Sequence, residues 1–164
     1  MMETGRIMTT KQLSLLTERF INPKDDTRVY WAREVTFDHG TDHAVRVDYM
    51  QFKPVNNSVS GIEKGDFCCF EVKSCKEDFH SGHGLNFIGD FNYLVMPFTL
   101  YLEIRNEIPK GIGVYCPTDG RNSLYSVQKA SRKSRDRPVA EMLLMMFRSA
   151  ARDRQKMSVA SSIS

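Results

Sequence analysis

Residues 67–74 read Phe-Cys-Cys-Phe-Glu-Val-Lys-Ser, an apolar run of strand length that carries a glutamate and a lysine. Side chains of an extended chain alternate between its two faces. Phe67, Cys69, Glu71 and Lys73 therefore share one face, and Cys68, Phe70 and Val72 the other. A charge removed from water without a partner is expensive. Whatever fold forms around this strand must bring groups to meet Glu71 and Lys73.

The flanking sequence supplies the neighbours. Val29–Phe37 and Ala44–Phe52 are rich in β-formers and are separated by the turn composition of residues 38–43, so they read as a hairpin. Ahead of them, Thr9 to Gln12 fits a capping box for a helix with Leu13, Leu16 and Phe20 on its face, ended by Asn22-Pro23. Lys53–Gly65 has loop composition, and Gly82, Gly84 and Gly89 make residues 74–90 irregular. Asn92–Pro97 and Gly111–Cys116 read as further strands, with a helical turn around Tyr101–Asn106 between them and an edge strand at Leu124–Val127 after them. Pro138 then opens a helix whose apolar stripe is Val139, Met142, Leu143, Met146 and Ala150. The expectation is a single α/β domain over residues 9–156, a sheet covered by helices, with residues 1–8 and 157–164 as flexible tails.

Bulk properties narrow the classes. A chain of 164 residues holds one proper core. It contains no apolar run of the roughly 20 residues that span a bilayer, and residues 1–10 lack the apolar segment of a signal peptide, so a cytoplasmic protein is expected. Cys68, Cys69, Cys75 and Cys116 show no zinc-knuckle spacing and read as reduced thiols. Residues 121–164 hold ten Lys/Arg against three Asp/Glu. Within them, Lys129, Arg132, Lys133, Arg135 and Arg137 either track the phosphates of a nucleic acid or form a solvated loop. The Met142, Met145 and Met146 stripe is core or the face of a homodimer. His39/His43 and His80/His83 fall in Gly-containing turns, a setting that tolerates histidine without making a zinc site of it.

The chemistry concentrates on three residues. Asp48 lies within the second strand, where a carboxylate disfavours simple packing, and it is the natural acid to join Glu71. Two carboxylates hold a hard divalent cation such as Mg²⁺, and Lys73 beside them can orient an attacking water or stabilise negative charge on a phosphate.

Val47-Asp48, followed by Glu71-Val72-Lys73, resembles the PD-(D/E)xK nuclease superfamily. The downstream stretches Glu71–Phe79, Asn92–Pro97 and Ile108–Val114 are similar to its MmcB-like DNA-repair branch, with the likeness spanning about residues 30–150. Val47 stands where the motif has proline, and the stretch after Phe79 is shorter and richer in glycine than the branch's basic helix, with His83 nearest to its lysine. The resemblance implies a restriction-endonuclease-like α/β core, a mixed β-sheet flanked by helices. It implies a Mg²⁺- or Mn²⁺-dependent DNA nuclease in repair or recombination. Asp48 and Glu71 are then the metal ligands, Lys73 the catalytic lysine, and Glu34 an assisting acid, preferred over Glu18, which falls off its helix's apolar face. The alternative is a catalytically inactive DNA-binding accessory protein on the same fold.

Overall fold

The computed structural model describes residues 8–163. The chain forms α1 (Thr10–Ile21), β1 (Tyr30–Phe37), β2 (Val45–Lys53), α2 (Val59–Glu63), β3 (Asp66–Val72), α3 (Lys76–His80), β4 (Phe91–Val95), α4 (Phe98–Ile104), β5 (Gly113–Pro117), β6 (Leu124–Gln128) and α5 (Val139–Ile163). One sheet holds all six strands in sequence order. The pairs β1/β2, β2/β3 and β5/β6 are antiparallel, and β3/β4 and β4/β5 are parallel. This is an α/β fold with a mixed sheet flanked by helices.

The alternation of residues 67–73 decides how the layers assemble. Phe67 and Cys69 join Val35, Phe37, Met50 and Phe52 beneath Val139, Met142 and Met146 of α5. Cys68, Phe70 and Val72 pack on the opposite face with Leu13, Leu16 and Ile21 of α1. Leu94 and Val114, aligned across the sheet with Glu71, lie under Leu100 and Ile104 of α4. Glu71 thus emerges on the face covered by α5 at one end and α4 at the other.

The capping box at Thr9 forms as the sequence dictates, with Thr9 and Gln12 bonding each other's backbone N–H groups. Several details differ from expectation. Ile21 rather than Phe20 fills the buried position on α1, and Met8 packs into the core. Ser58 caps a helical turn, α2, inside what reads as a loop. Residues 157–163 continue α5 rather than forming a flexible tail. Neither glycine nor proline follows Pro138, so nothing in the sequence stops the helix. The expected leader at residues 1–7 lies outside the described residues.

One irregularity shapes the site. Ala32 and Val35 face the same core, as do Val47 and Met50, which an unbroken alternation forbids. Both strands change face at the opposed positions Glu34 and Asp48, between the pairs Arg33–Tyr49 and Val35–Val47. Glu34 takes up the change with a φ of 50°, a conformation uncommon for a residue with a side chain.

Candidate functional site

The β2–β3 ladder runs from Lys53–Asp66 to Tyr49–Phe70 and ends there. Beyond it the strands fork, and carboxylates take over from the backbone. The Val72 N–H donates to Asp48 Oδ2 at 2.9 Å, and the Asp48 N–H donates to Glu71 Oε1 at 3.4 Å. Each acid thus satisfies a main-chain donor of the other strand, and the two are held side by side.

Glu71 is 4% exposed. Burial pushes its carboxyl up to about 10, helped by the neighbouring charge of Asp48 and a hydrogen bond between the two acids, with Lys73 only a minor opposing influence. Lys73 is 3% exposed and does not reach into open solvent. Its Nζ donates to the His83 carbonyl at 2.6 Å and lies 3.5 Å from Asp78 Oδ1. The loop after α3 closes over Glu71 as well. Gly84 sits at φ 79°, and a Cβ there would collide with Glu71 Oε2.

Asp48, Glu71, Lys73, Asp78, His83 and Arg46 all line one cavity of about 780 Å³. Asp78 is the acid that sequence reasoning underused. Its position at the first turn of α3, five residues beyond Lys73, was the available signal. The sequence-expected assisting acid, Glu34, does not line this cavity. Its side chain is half exposed and points to Arg46, with Oε1 4.0 Å from Nη1. Glu18 is engaged elsewhere, accepting from the Tyr49 hydroxyl at 3.0 Å and pairing with Arg33 at 3.2 Å.

Among the described residues no group of three or more His, Cys, Asp or Glu is arranged to hold a metal. His43 meets Asp42 and His80 meets Glu107 instead. What the fork offers is two carboxylates from adjacent strands. That donor set fits Mg²⁺ or Mn²⁺, because Mg²⁺ commonly takes one or two carboxylates and completes its shell with water and phosphate. Ionising the buried Glu71 beside Asp48 is unfavourable, and a divalent cation held by both would offset that cost.

The basic segment is largely engaged by the protein's own acids and carbonyls. Arg132 pairs with Asp66 at 2.7 Å and stacks over Phe91. The Lys133 Nζ donates to the Phe87 carbonyl at 2.7 Å. Arg135 meets the buried Asp90 at 3.4 Å, donates to the Gly65 carbonyl and covers the Phe67 ring. Arg137 grips Asp38 through two bonds, pairs with Glu141 and lies over Phe37. Of the five expected phosphate contacts, Lys129 alone has no partner of this kind, and it is exposed beyond β6. Residues 132–137 form a strap that ties the start of α5 to the sheet. Asp66 and Asp90, its main anchors, stand at the N-terminal ends of β3 and β4. Five residue steps along β3, at ~3.3 Å each, separate Asp66 from Glu71, so this anchor is roughly 17 Å from the fork.

No family model and no curated protein matches the chain. Among solved structures it is similar to the SPO1766 protein of unknown function from Silicibacter pomeroyi, at 16% identity and a TM-score of 0.65, with 92% of each chain covered. That likeness shows a shared α/β fold. No described helix is long and apolar enough to cross a membrane.

Proposed function

We propose that the chain is a Mg²⁺- or Mn²⁺-dependent DNA nuclease on a restriction-endonuclease-like core, acting in the cytoplasm in repair or recombination. The observation that carries this reading is the fork itself. Asp48 and Glu71 are held together where β2 leaves β3, with Lys73 two residues after Glu71, just past the end of β3. The D…E-x-K pattern and its resemblance to the PD-(D/E)xK superfamily and its MmcB-like branch support it.

Asp48 and Glu71 would hold the ion. When bound, a divalent cation supplies an acidified water and neutralises phosphate charge. The chain's own residues do the rest. Asp48, fixed by the Val72 N–H, keeps one carboxylate oxygen oriented. Lys73 must first leave the His83 carbonyl, after which its ammonium donates to the attacking water or to a phosphate oxygen. Closure of the loop around Gly84 keeps bulk water from Glu71.

The test is purified protein with Mn²⁺ against single-stranded, nicked and branched DNA, with Lys73→Ala alongside. Cutting by the wild type and its loss in the variant support the proposal. Absence of cutting on every substrate, or equal cutting by the variant, overturns it.

A second reading has its own observation. Lys73 is buried with its ammonium already engaged, and the fork has two acids rather than three. Those features favour a DNA-binding accessory protein that keeps the fold without the chemistry. Salt-dependent DNA binding without uptake of Mn²⁺ distinguishes it.

A further inference from the structure

A cleft with acids at its base repels the polyanion it would cut, so a nuclease of this kind needs a cation at the cleft mouth. The basic strap does not serve, because its arginines are consumed by Asp38, Asp66, Asp90 and Glu141. Lys73 does not serve either, since it is buried and bonded to the loop over the site. Among the Lys and Arg residues lining the cavity, that leaves Arg46.

Arg46 has the properties the task requires. Its side chain is 61% exposed, and its nearest counter-charge, Glu34, stands off at 4.0 Å. Compared with the strap contacts at 2.7 Å, that is a weak hold on a guanidinium whose planar fork suits phosphate oxygens. The base of the side chain is fixed at the cavity in two ways. Arg46 pairs with Thr36 in the β1–β2 ladder, and its carbonyl accepts from Asn86 Nδ2 at 3.2 Å, which ties β2 to the loop that covers Glu71. Arg46 lies two residue steps before Asp48 along β2, a spacing of ~7 Å. A phosphate at Asp48 and the next phosphate along the same strand therefore fall within the reach of the two side chains.

We infer that Arg46 is the substrate-gripping residue of this cleft, contacting a backbone phosphate that flanks the one at Asp48 and Glu71. The assignment rests on the nuclease reading above. It places the track of the nucleic acid along the β1–β2 side of the cavity rather than along residues 129–137.

The experiment is fluorescence anisotropy with a labelled single-stranded oligonucleotide in Ca²⁺, repeated over a series of NaCl concentrations. Wild type, Arg46→Ala, Arg46→Lys and Lys24→Ala are compared; Lys24 is exposed in the turn after α1, at the other end of the sheet. Arg46→Ala is expected to weaken binding about five- to tenfold and to lower the salt slope by ~0.7, the loss of one phosphate contact on a single strand. Arg46→Lys should keep the slope, and Lys24→Ala should match the wild type. Equal affinity and slope for wild type and Arg46→Ala overturn the assignment while leaving the nuclease reading standing. A wild type with no measurable affinity for this oligonucleotide overturns the assignment, and the nuclease reading then stands or falls on the cutting test with nicked and branched DNA.

Discussion

Asp48 and Glu71 each accept a backbone N–H from the other's strand, so two carboxylates sit where a pair of ladder hydrogen bonds would otherwise run. A fold with no use for those acids would close the strands with main-chain bonds. Here the sheet is opened at a cost and the opening is filled with acids, one of them buried. Departures of this sort collect at functional sites.

The pH dependence of stability follows from Glu71. Its carboxyl is held at about 10 in the folded protein against an ordinary 4.5. Between those values the folded chain keeps a proton that the unfolded chain has released, so stability falls as pH rises through the window. The slope is at most ~1.4 kcal/mol per pH unit. Glu71→Gln mimics the protonated acid and removes the effect. In EDTA, the melting temperature of the wild type should drop more steeply between pH 6 and pH 9 than that of the variant. Parallel curves would show that Glu71 is ionised in the folded state.

Gly84 gives a second, more local prediction. Gly84→Ala must both hold a side-chain residue at φ 79° and push a methyl group into the Glu71 carboxyl, whereas Gly82→Ala at φ 73° meets nothing within 4 Å. Both should destabilise, Gly82→Ala by ~1 kcal/mol from backbone strain alone and Gly84→Ala by ~2–3 kcal/mol. Urea denaturation of the pair checks the difference. Equal losses would mean that the loop does not rest on Glu71.

The strap gives a third. Asp90 is buried, accepts the Phe67 N–H at 2.8 Å and meets Arg135. Asp90→Ala leaves that N–H and a guanidinium without their acceptor, and ~2–4 kcal/mol should be lost. Asp66→Ala removes a more exposed pair and should cost under ~1 kcal/mol. Chemical denaturation reads both, and reversal of their order would contradict a structural strap.

These cases show which parts of the molecule local sequence pattern could carry. The two faces of residues 67–73 were legible because strand alternation is a property of neighbours along the chain, and the sorting of Phe67 from Phe70 between two cores follows it. Asp48 and Glu71 could be paired on paper through their residue types. The fork that joins them could not, since it depends on where β2 stops pairing with β3. Glu34 was misplaced for a related reason: its positive φ turns the strand at that residue, and nothing in Arg-Glu-Val announces it. The partners of the basic segment were the least legible. Charge counting registers ten cations but not that Asp38 waits 99 residues upstream of Arg137. Helix α5 outran its expected end because Ser and Ala at residues 158–162 look like tail composition yet contain no helix breaker.

The central claim is that the fork between Asp48 and Glu71 is a metal site, and calorimetric titration with Mn²⁺ tests it most directly. Wild type, Asp48→Asn, Glu71→Gln and Glu34→Gln would be titrated under identical conditions. The wild type and Glu34→Gln should each take up one ion per chain with similar affinity, and Asp48→Asn and Glu71→Gln should bind at least tenfold more weakly. A wild type that takes up no Mn²⁺, or fork variants that bind it as well as the wild type, would contradict the account.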